Sequence, residues 1–321
     1  MKYIRHFKYY VCRLMDKAGL LKYFSFSLAA NINTKNFRIP VINGIGYYNL
    51  VSRHEGWMDV IVQRLYKERQ GCILDVGVNL GQTLLKIASM GNGINYYGFE
   101  PNPVCCNYCN QLIKTNKLNS FVVFPVGLSD KASVVKLFGD NDHAAGASII
   151  ENFRENKEKY PLINLVPVFT GDEILAGEKI TAINFIKIDV EGAELEVLKG
   201  LQSVILQFRP VIIVEILPVY SVDRPNGLMR KQRQDELIQY MHKMNFILFL
   251  IHEKEIKLER VEIIPVHSDM NRTNYLLIPA EEISAFSTMD FAKALVANKS
   301  ASEVIANGYS SGRPASRGRK G

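Results

Sequence analysis

The stretch CILDVGVNLGQT, residues 72–83, begins as an apolar run, turns on two glycines just after a carboxylate, and continues with helix-like spacing. A short apolar run bounded by turn residues reads as a strand buried on both faces, and the change of period reads as the start of a helix. The same alternation extends outward from it. GCILDVG, INYYGFE and FVVFPVGL read as strands, separated by the helices GQTLLKIASM and PVCCNYCNQLIKTNK. After a polar stretch at 139–161 come the strands NLVPVFT, INFIKIDV and PVIIVEI, the helices GAELEVLKG and RKQRQDELIQYMHKM, and two closing runs, FILFLI and NYLLIP. This order predicts an α/β fold with seven or so strands in one mostly parallel sheet and helices on both faces. FRIPVINGIGYYNL, residues 37–50, reads as a hairpin-like lead-in with turns marked by Pro40 and Asn43–Gly44.

At 321 residues and 47% hydrophobic content the chain can bury a full core. The pattern divides it into an N-terminal helix and lead-in at 1–69, the alternating domain at 70–280, and a C-terminal helix with a disordered basic tail at 281–321. The net charge of +7 sits at the ends. Residues 1–22 hold six Lys/Arg against one Asp, and the last fourteen hold four against none, which leaves −2 for the remainder. A near-neutral body argues against a phosphate-tracking surface and so against nucleic acid as the partner.

The five cysteines (Cys12, Cys72, Cys105, Cys106, Cys109) are odd in number, and three crowd into CCNYC, which is no disulfide framework. Cys105 and Cys109 lack the second ligand pair of a closed zinc site, and no metal ligands are singled out. They read as packed thiols in a reducing cytoplasm. No stretch reaches the roughly 18 uninterrupted apolar residues of a spanning helix. Lys2, Arg5, Lys8, Arg13 and Lys17 run through what would be the apolar core of a signal peptide. The first helix therefore reads either as docked on the domain or as a basic aromatic helix in peripheral contact with an anionic membrane surface.

A parallel sheet binds ligands outside the carboxyl ends of its strands, and the turn after Asp75 is such a place. Gly77 and Gly81 remove side-chain bulk where a ligand would lie against the backbone, and the N–H groups that open the next helix favour an anion. Asp75 would instead suit an ammonium or sulfonium cation. Asn79 stands where the dinucleotide pattern G-x-G-x-x-G has its second glycine, which disfavours a dehydrogenase. Glu100, at the tip of the next strand, is placed to accept both hydroxyls of a ribose or, alternatively, to cap the following helix.

ILDVGVNLGQT (73–83), YGFEPNP (97–103), VGLSD (126–130), AGASI (145–149) and FIKIDVEGAELEVLKG (185–200) together resemble the FkbM-type methyltransferases, over roughly residues 70 to 217. The resemblance implies a Rossmann-like seven-stranded methyltransferase sheet with an N-terminal extension. It implies S-adenosylmethionine as cofactor and, for many of its members, the hydroxyl of a sugar, glycan or other natural product as acceptor. It places Asp75, Gly77, Asn79 and Gly81 around the methionine part, Glu100 on the ribose, and Leu128, Ser129 and Asp130 beside adenine, with Phe99 and Leu128 as apolar faces. Asp130 also reads as a turn residue.

Asp189 and Glu191 of KIDVEGAE face the same crevice. They can complement the sulfonium, hold a divalent metal, or accept the proton of the attacking hydroxyl. His143, in a polar loop that would form a lid, and Glu215 are further base candidates, and His54 could line the substrate mouth. Glu194 reads as a helix N-terminal acid and Lys187 as a lysine paired to a carboxylate or tunnelled to solvent. Two activities follow: an O-methyltransferase for a small-molecule or glycan acceptor, or a non-catalytic nucleoside-binding module of the same fold. Oligomeric state is not legible.

Overall fold

The structure, a computed structural model, describes residues 2–33, 35–51, 56–141, 146–153 and 159–287. The chain enters through α1 (Lys2–Lys17) and an antiparallel hairpin of β1 (Ser25–Ile32) and β2 (Lys35–Ile42). The lead-in is thus a hairpin, but it begins earlier than residue 37, and Pro40 lies inside β2, opposite Ser27, instead of at a turn. A two-stranded sheet is all edge, so a strand residue without an N–H is tolerated there. The turn falls after β2, where Asn43 and Gly44 take positive φ.

Helix α2 (Gly56–Glu68) then leads to β3 (Cys72–Val76), α3 (Gln82–Met90), β4 (Tyr96–Phe99), α4 (Pro103–Thr115) and β5 (Phe121–Phe124). Next come β6 (Gly127–Leu128), β7 (Ser133–Phe138), β8 (Leu162–Phe169), α5 (Gly171–Leu175) and β9 (Ile183–Ile188). The remainder is α6 (Glu194–Gly200), α7 (Gln202–Phe208), β10 (Val211–Glu215), α8 (Pro225–Lys243), β11 (Phe246–His252), β12 (Lys257–Arg260), β13 (Asn274–Pro279) and α9 (Ile283–Ser287).

The main sheet runs β12-β11-β13-β10-β9-β3-β4-β5. Strands β10, β9, β3, β4 and β5 are parallel, while β13 is antiparallel to both β10 and β11. Seven of the eight expected runs contribute strands to this sheet, and the short edge strand β12, paired to β11, is its eighth member. Two sequence runs depart from expectation. NLVPVFT forms most of β8, which leaves the main sheet for a three-stranded one ordered β6-β8-β7. FVVFPVGL divides between β5 in the main sheet and β6 in the smaller one.

Every residue of β3 and β9 is buried, because apolar layers cover both faces. Ile73, Phe185 and Ile213 face a layer with Trp57 of α2, Leu84 of α3 and Leu112 of α4. Leu74, Ile186 and Val214 face the other, with Leu198 of α6, Ile205 of α7 and Leu237 of α8. Asp75 and Lys187 fall on the first of these faces by alternation, and strand register sets them side by side. The tail beyond residue 287 lies outside the described residues, as do His54 and His143.

Candidate active site

An open cleft of about 1050 Å³, mouth included, lies at the carboxyl ends of β3, β4 and β9. Its floor is the turn after β3. Gly77 has φ 88°, and a Cβ there would lie 1.9 Å from the Asp189 carbonyl oxygen. The glycine is needed because the tips of β3 and β9 close on one another, a reason additional to the expected approach of a ligand. Asn79 is left-handed, φ 48°, a conformation that glycine and asparagine tolerate best. Its own side-chain oxygen accepts from the Leu80 N–H at 2.7 Å, and its carbonyl accepts from the Cys109 thiol at 3.0 Å. The turn spends its amides internally: Gly77 donates to Phe99 O, Asn79 to Glu100, and Gly81 to Val78 O. Helix α3 has no side-chain cap, so its first turn, with Gln82 and Thr83 lining the cleft, is the part placed to meet a carboxylate.

Glu100 lines the cleft beside that turn and is 6% exposed. Oε2 accepts from the Asn79 N–H at 2.7 Å and Oε1 from the Asn102 N–H at 2.8 Å. A carboxylate has about four lone-pair positions, so each oxygen keeps one for a further donor, the pattern that two vicinal hydroxyls require. Burial pushes its carboxyl up to about 7, against the two amides, which pull it down. Helix α4 is capped by Asn102, whose side chain accepts from the Val104 N–H, so Glu100 is not the cap. Phe99, Pro101, Leu128, Leu137 and Ile149 supply an apolar wall next to it. A nucleoside wants such a wall for its base and an acid for its ribose.

On the other side of β3 stands an acidic group around one lysine. Lys187 Nζ lies 3.6 Å from Asp75 Oδ1 and 3.1 Å from Asp189 Oδ2. Asp75 is fully buried and does not line the cleft. Tyr96 donates to its Oδ2 at 2.7 Å, while Oδ1 has no hydrogen bond. Burial raises the Asp75 carboxyl, and Lys187 opposes the rise. Asp189 and Glu191 line the cleft. Glu191 has φ 54°, an uncommon conformation for so long a side chain, and its carbonyl accepts from the Ser148 hydroxyl at 2.7 Å. Glu215, at the end of β10, stands near Asp189 and Glu191. Burial, followed by the charges of Asp189 and Glu191, pushes it up to about 8. Glu194 accepts from the Gly192 N–H at 2.8 Å beneath this turn, and burial holds it at about 7.

The structure thus brings Gly77, Asn79, Glu100, Leu128, Asp189 and Glu191 to one cleft. Three expected cofactor contacts sit elsewhere. Asp75 acts from below through Lys187. Gly81 faces α4, where a Cβ would meet Leu112 at 3.0 Å. Asp130 is exposed past the end of β6, where its carboxylate accepts from Ser129, because the chain turns there into the small sheet. His143, named as a base, is outside the described residues, but Ala147 and Ile149 of the same insert line the cleft. Sequence reasoning missed Tyr96, Leu137 and Ile149. A tyrosine in a strand next to a buried aspartate is the kind of signal that could have found the first. Among the described residues no group of three or more His, Cys, Asp or Glu could hold a metal ion. All five cysteines are free and buried. No helix among the described residues is long and apolar enough to cross a membrane.

Glu100, an apolar wall and the acids beside Lys187 thus lie together at the carboxyl edge of a parallel sheet, where α/β folds of this class bind their ligands. The profile of the methyltransferase FkbM domain matches residues 75–248, more than half of the chain, and the protein belongs to that family of methyltransferase enzymes. The family implies S-adenosylmethionine as methyl donor. Hexuronic acid methyltransferase AglP of Haloferax volcanii is 30% identical over 164 residues, 50% of this chain and 62% of that protein. The chain therefore matches less than two thirds of that relative's length. The methyltransferase FkbM structure from Methylobacillus flagellatus KT is 18% identical, covering 72% of this chain and 49% of that one, with a TM-score of 0.42. A putative caffeoyl-CoA O-methyltransferase from Staphylococcus aureus is 13% identical, covering 72% and 87%, with a TM-score of 0.41.

Proposed function

We propose that the enzyme methylates a hydroxyl of a sugar or glycan, with the Asp189–Glu215 pair taking up the hydroxyl proton. The observation that carries this reading is the group of acids on the far side of the β3 turn from Glu100: Asp189 and Glu191 line the cleft, and Glu215 at the end of β10 stands near both. The cofactor fits the residues present: Glu100 would hold the ribose, Phe99 and Leu128 the base, and the start of α3 the carboxylate. When bound it supplies an electrophilic methyl group on a positively charged sulfur. Among the described residues lining the cleft, Lys187 is the only cation, and Asp75 and Asp189 flank it, so a sulfonium meets net negative surroundings.

A neutral hydroxyl is a weak nucleophile, and an in-line displacement needs its proton withdrawn as the new bond forms. Glu215, with its carboxyl at about 8, holds its proton at neutral pH and gains accepting capacity as pH rises through that value. Lys187, held at 3.1 Å, fixes Asp189 in place. The name of the relative acting on hexuronic acid supports a sugar acid as the first acceptor to test. Five unpaired buried thiols support a reducing cytoplasm as the place of reaction.

The experiment is incubation of pure protein with S-adenosylmethionine and a panel of hexuronic acid glycosides and neutral sugars. Mass spectrometry follows acceptors that gain one methyl group, and a chromatographic assay follows the demethylated cofactor. Methylation of a nitrogen or carboxylate acceptor in preference to every hydroxyl would refute the reading, as would cofactor binding with no turnover on any acceptor class.

A further inference from the structure

The N-terminal helix carries two apolar faces, and only one is used by the fold. Tyr9 and Cys12 are each 2% exposed and seat the helix against the domain. Phe7, Tyr10, Val11 and Leu14, at i, i+3, i+4 and i+7, form a stripe on the opposite side, with Phe7 67% and Leu14 70% exposed. The stripe is continued by the 3-10 turn at Leu21–Tyr23. Leu21 there is buried while Leu20, Tyr23 and Phe24 are exposed. An amphipathic helix that merely docks would show water a polar face.

The surrounding charge is of one sign. Residues 1–51 hold eight Lys/Arg against a single acid, Asp16, a net +7 equal to that of the whole chain. Asp16 is occupied by the Tyr47 hydroxyl at 3.0 Å. Arg13, Lys17 and Lys22 are exposed beside the apolar stripe, and Lys22 lies 5.1 Å from the centre of the Tyr23 ring.

We infer that this face docks on an anionic lipid bilayer. Aliphatic and phenylalanine side chains would enter the boundary of the acyl layer, tyrosines would sit at headgroup depth, and the flanking cations would meet anionic headgroups. A second copy of the chain fits poorly, because two such faces would bring cations against cations without acids to match them. The surface is also tied to the catalytic end. Tyr9 packs on Tyr47 with ring centres 5.7 Å apart, and Asn49, two residues on, donates to the carbonyl of Leu80 in the cleft at 2.6 Å. Docking through α1 therefore holds the cleft close to the bilayer, whatever acceptor it uses.

The test is sedimentation of the full chain with vesicles of phosphatidylcholine containing roughly one-third phosphatidylserine, which supplies the anionic surface. The protein should pellet with these vesicles and bind at least about tenfold less to phosphatidylcholine alone, with loss at high salt. The double variant Phe7→Glu/Leu14→Glu should stay in the supernatant while keeping its melting temperature and cofactor affinity, because both side chains point to solvent. Arg13→Glu/Lys17→Glu supplies a second reading that leaves the apolar stripe intact, and it too should lose binding. The inference is overturned if wild type fails to pellet, or if both variants pellet as wild type does. It is equally overturned if, without lipid, wild type sediments as a dimer that Phe7→Glu/Leu14→Glu dissolves.

Discussion

Affinity for the nucleoside should fall on acidification, through Glu100. Its two oxygens already accept amides from Asn79 and Asn102, so only the ionised form keeps one lone pair per oxygen for the two ribose hydroxyls. A proton on either oxygen converts an acceptor into a donor that faces another donor. With the carboxyl at about 7 in the free protein, the binding-competent fraction is nearly complete at pH 8 and about one tenth at pH 6. The dissociation constant should therefore rise about tenfold between those two values, equivalent to about 1.4 kcal/mol.

Methylthioadenosine is the suitable ligand, because it keeps the ribose and the base but lacks the amino acid group, whose own titration would intrude. Isothermal titration at pH 6, 7 and 8, repeated in buffers of different ionisation enthalpy, should show the affinity trend and a proton released on binding below pH 7. Glu100→Gln should bind more weakly by about 1.5–3 kcal/mol, the usual cost of losing a hydrogen bond to a charged group, and should lose the pH slope. Equal affinity at pH 6 and pH 8 in wild type would refute the reasoning, as would a slope that survives in Glu100→Gln.

Three further outcomes follow from the same geometry. Glu215→Gln should lower kcat about 10²- to 10⁴-fold and remove the rise of kcat with pH through about 8, while the Kd for cofactor stays within a few-fold, measured by pH–rate profiles and titration. Lys187→Met should cost about 3–5 kcal/mol in denaturant unfolding, because Asp75 is left buried beside no cation, and Asp75→Asn in the same chain should recover part of the loss. In the cofactor-free protein Glu100, Glu194 and Glu215 all have carboxyls raised above the 4.5 of an unfolded chain, so the folded state binds more protons between about 4.5 and 8. Their contribution to stability is therefore greatest at the acid end of that window and declines as pH rises through 7 to 8, which scanning calorimetry of wild type against Glu215→Gln should show.

The parallel strands were legible because both-sided burial leaves uninterrupted apolar runs such as CILDV and INFIKI. Membership of a sheet is a different matter. LINLVPVF of β8 has strand composition, yet whether it pairs with β5 or with β7 depends on contacts far along the chain, and it joined the small sheet. Within the site, residues whose role is fixed by local backbone were readable, as with Asn79 in a glycine's place. Residues whose role is fixed by neighbours across the sheet were not. Lys187 could be read as paired, but its partner follows from the register that sets it opposite Asp75, and Tyr96 reaches Asp75 from the strand on the other side. Asp130 misled because VGLSD reads as one unit, whereas β6 ends at Leu128 and the chain turns outward before the aspartate.

The acids of the cleft pose a problem of mutual repulsion, and each is handled differently. Asp75 is balanced by Lys187 and Tyr96, Glu100 by two backbone amides, and Glu215 by a carboxyl raised to about 8, so that it carries its proton at neutral pH. Asp75, beneath the cleft, holds Lys187 between two carboxylates, so that lysine does not cancel Asp189 alone. On the proposed reading, the Asp189–Glu215 pair gains one proton from the acceptor in the same step in which the positive charge on sulfur disappears. The total charge within the cleft is then the same before and after transfer. Charges and dipoles held in place by the fold suit a reaction of that kind, since they need no rearrangement while the bond is exchanged.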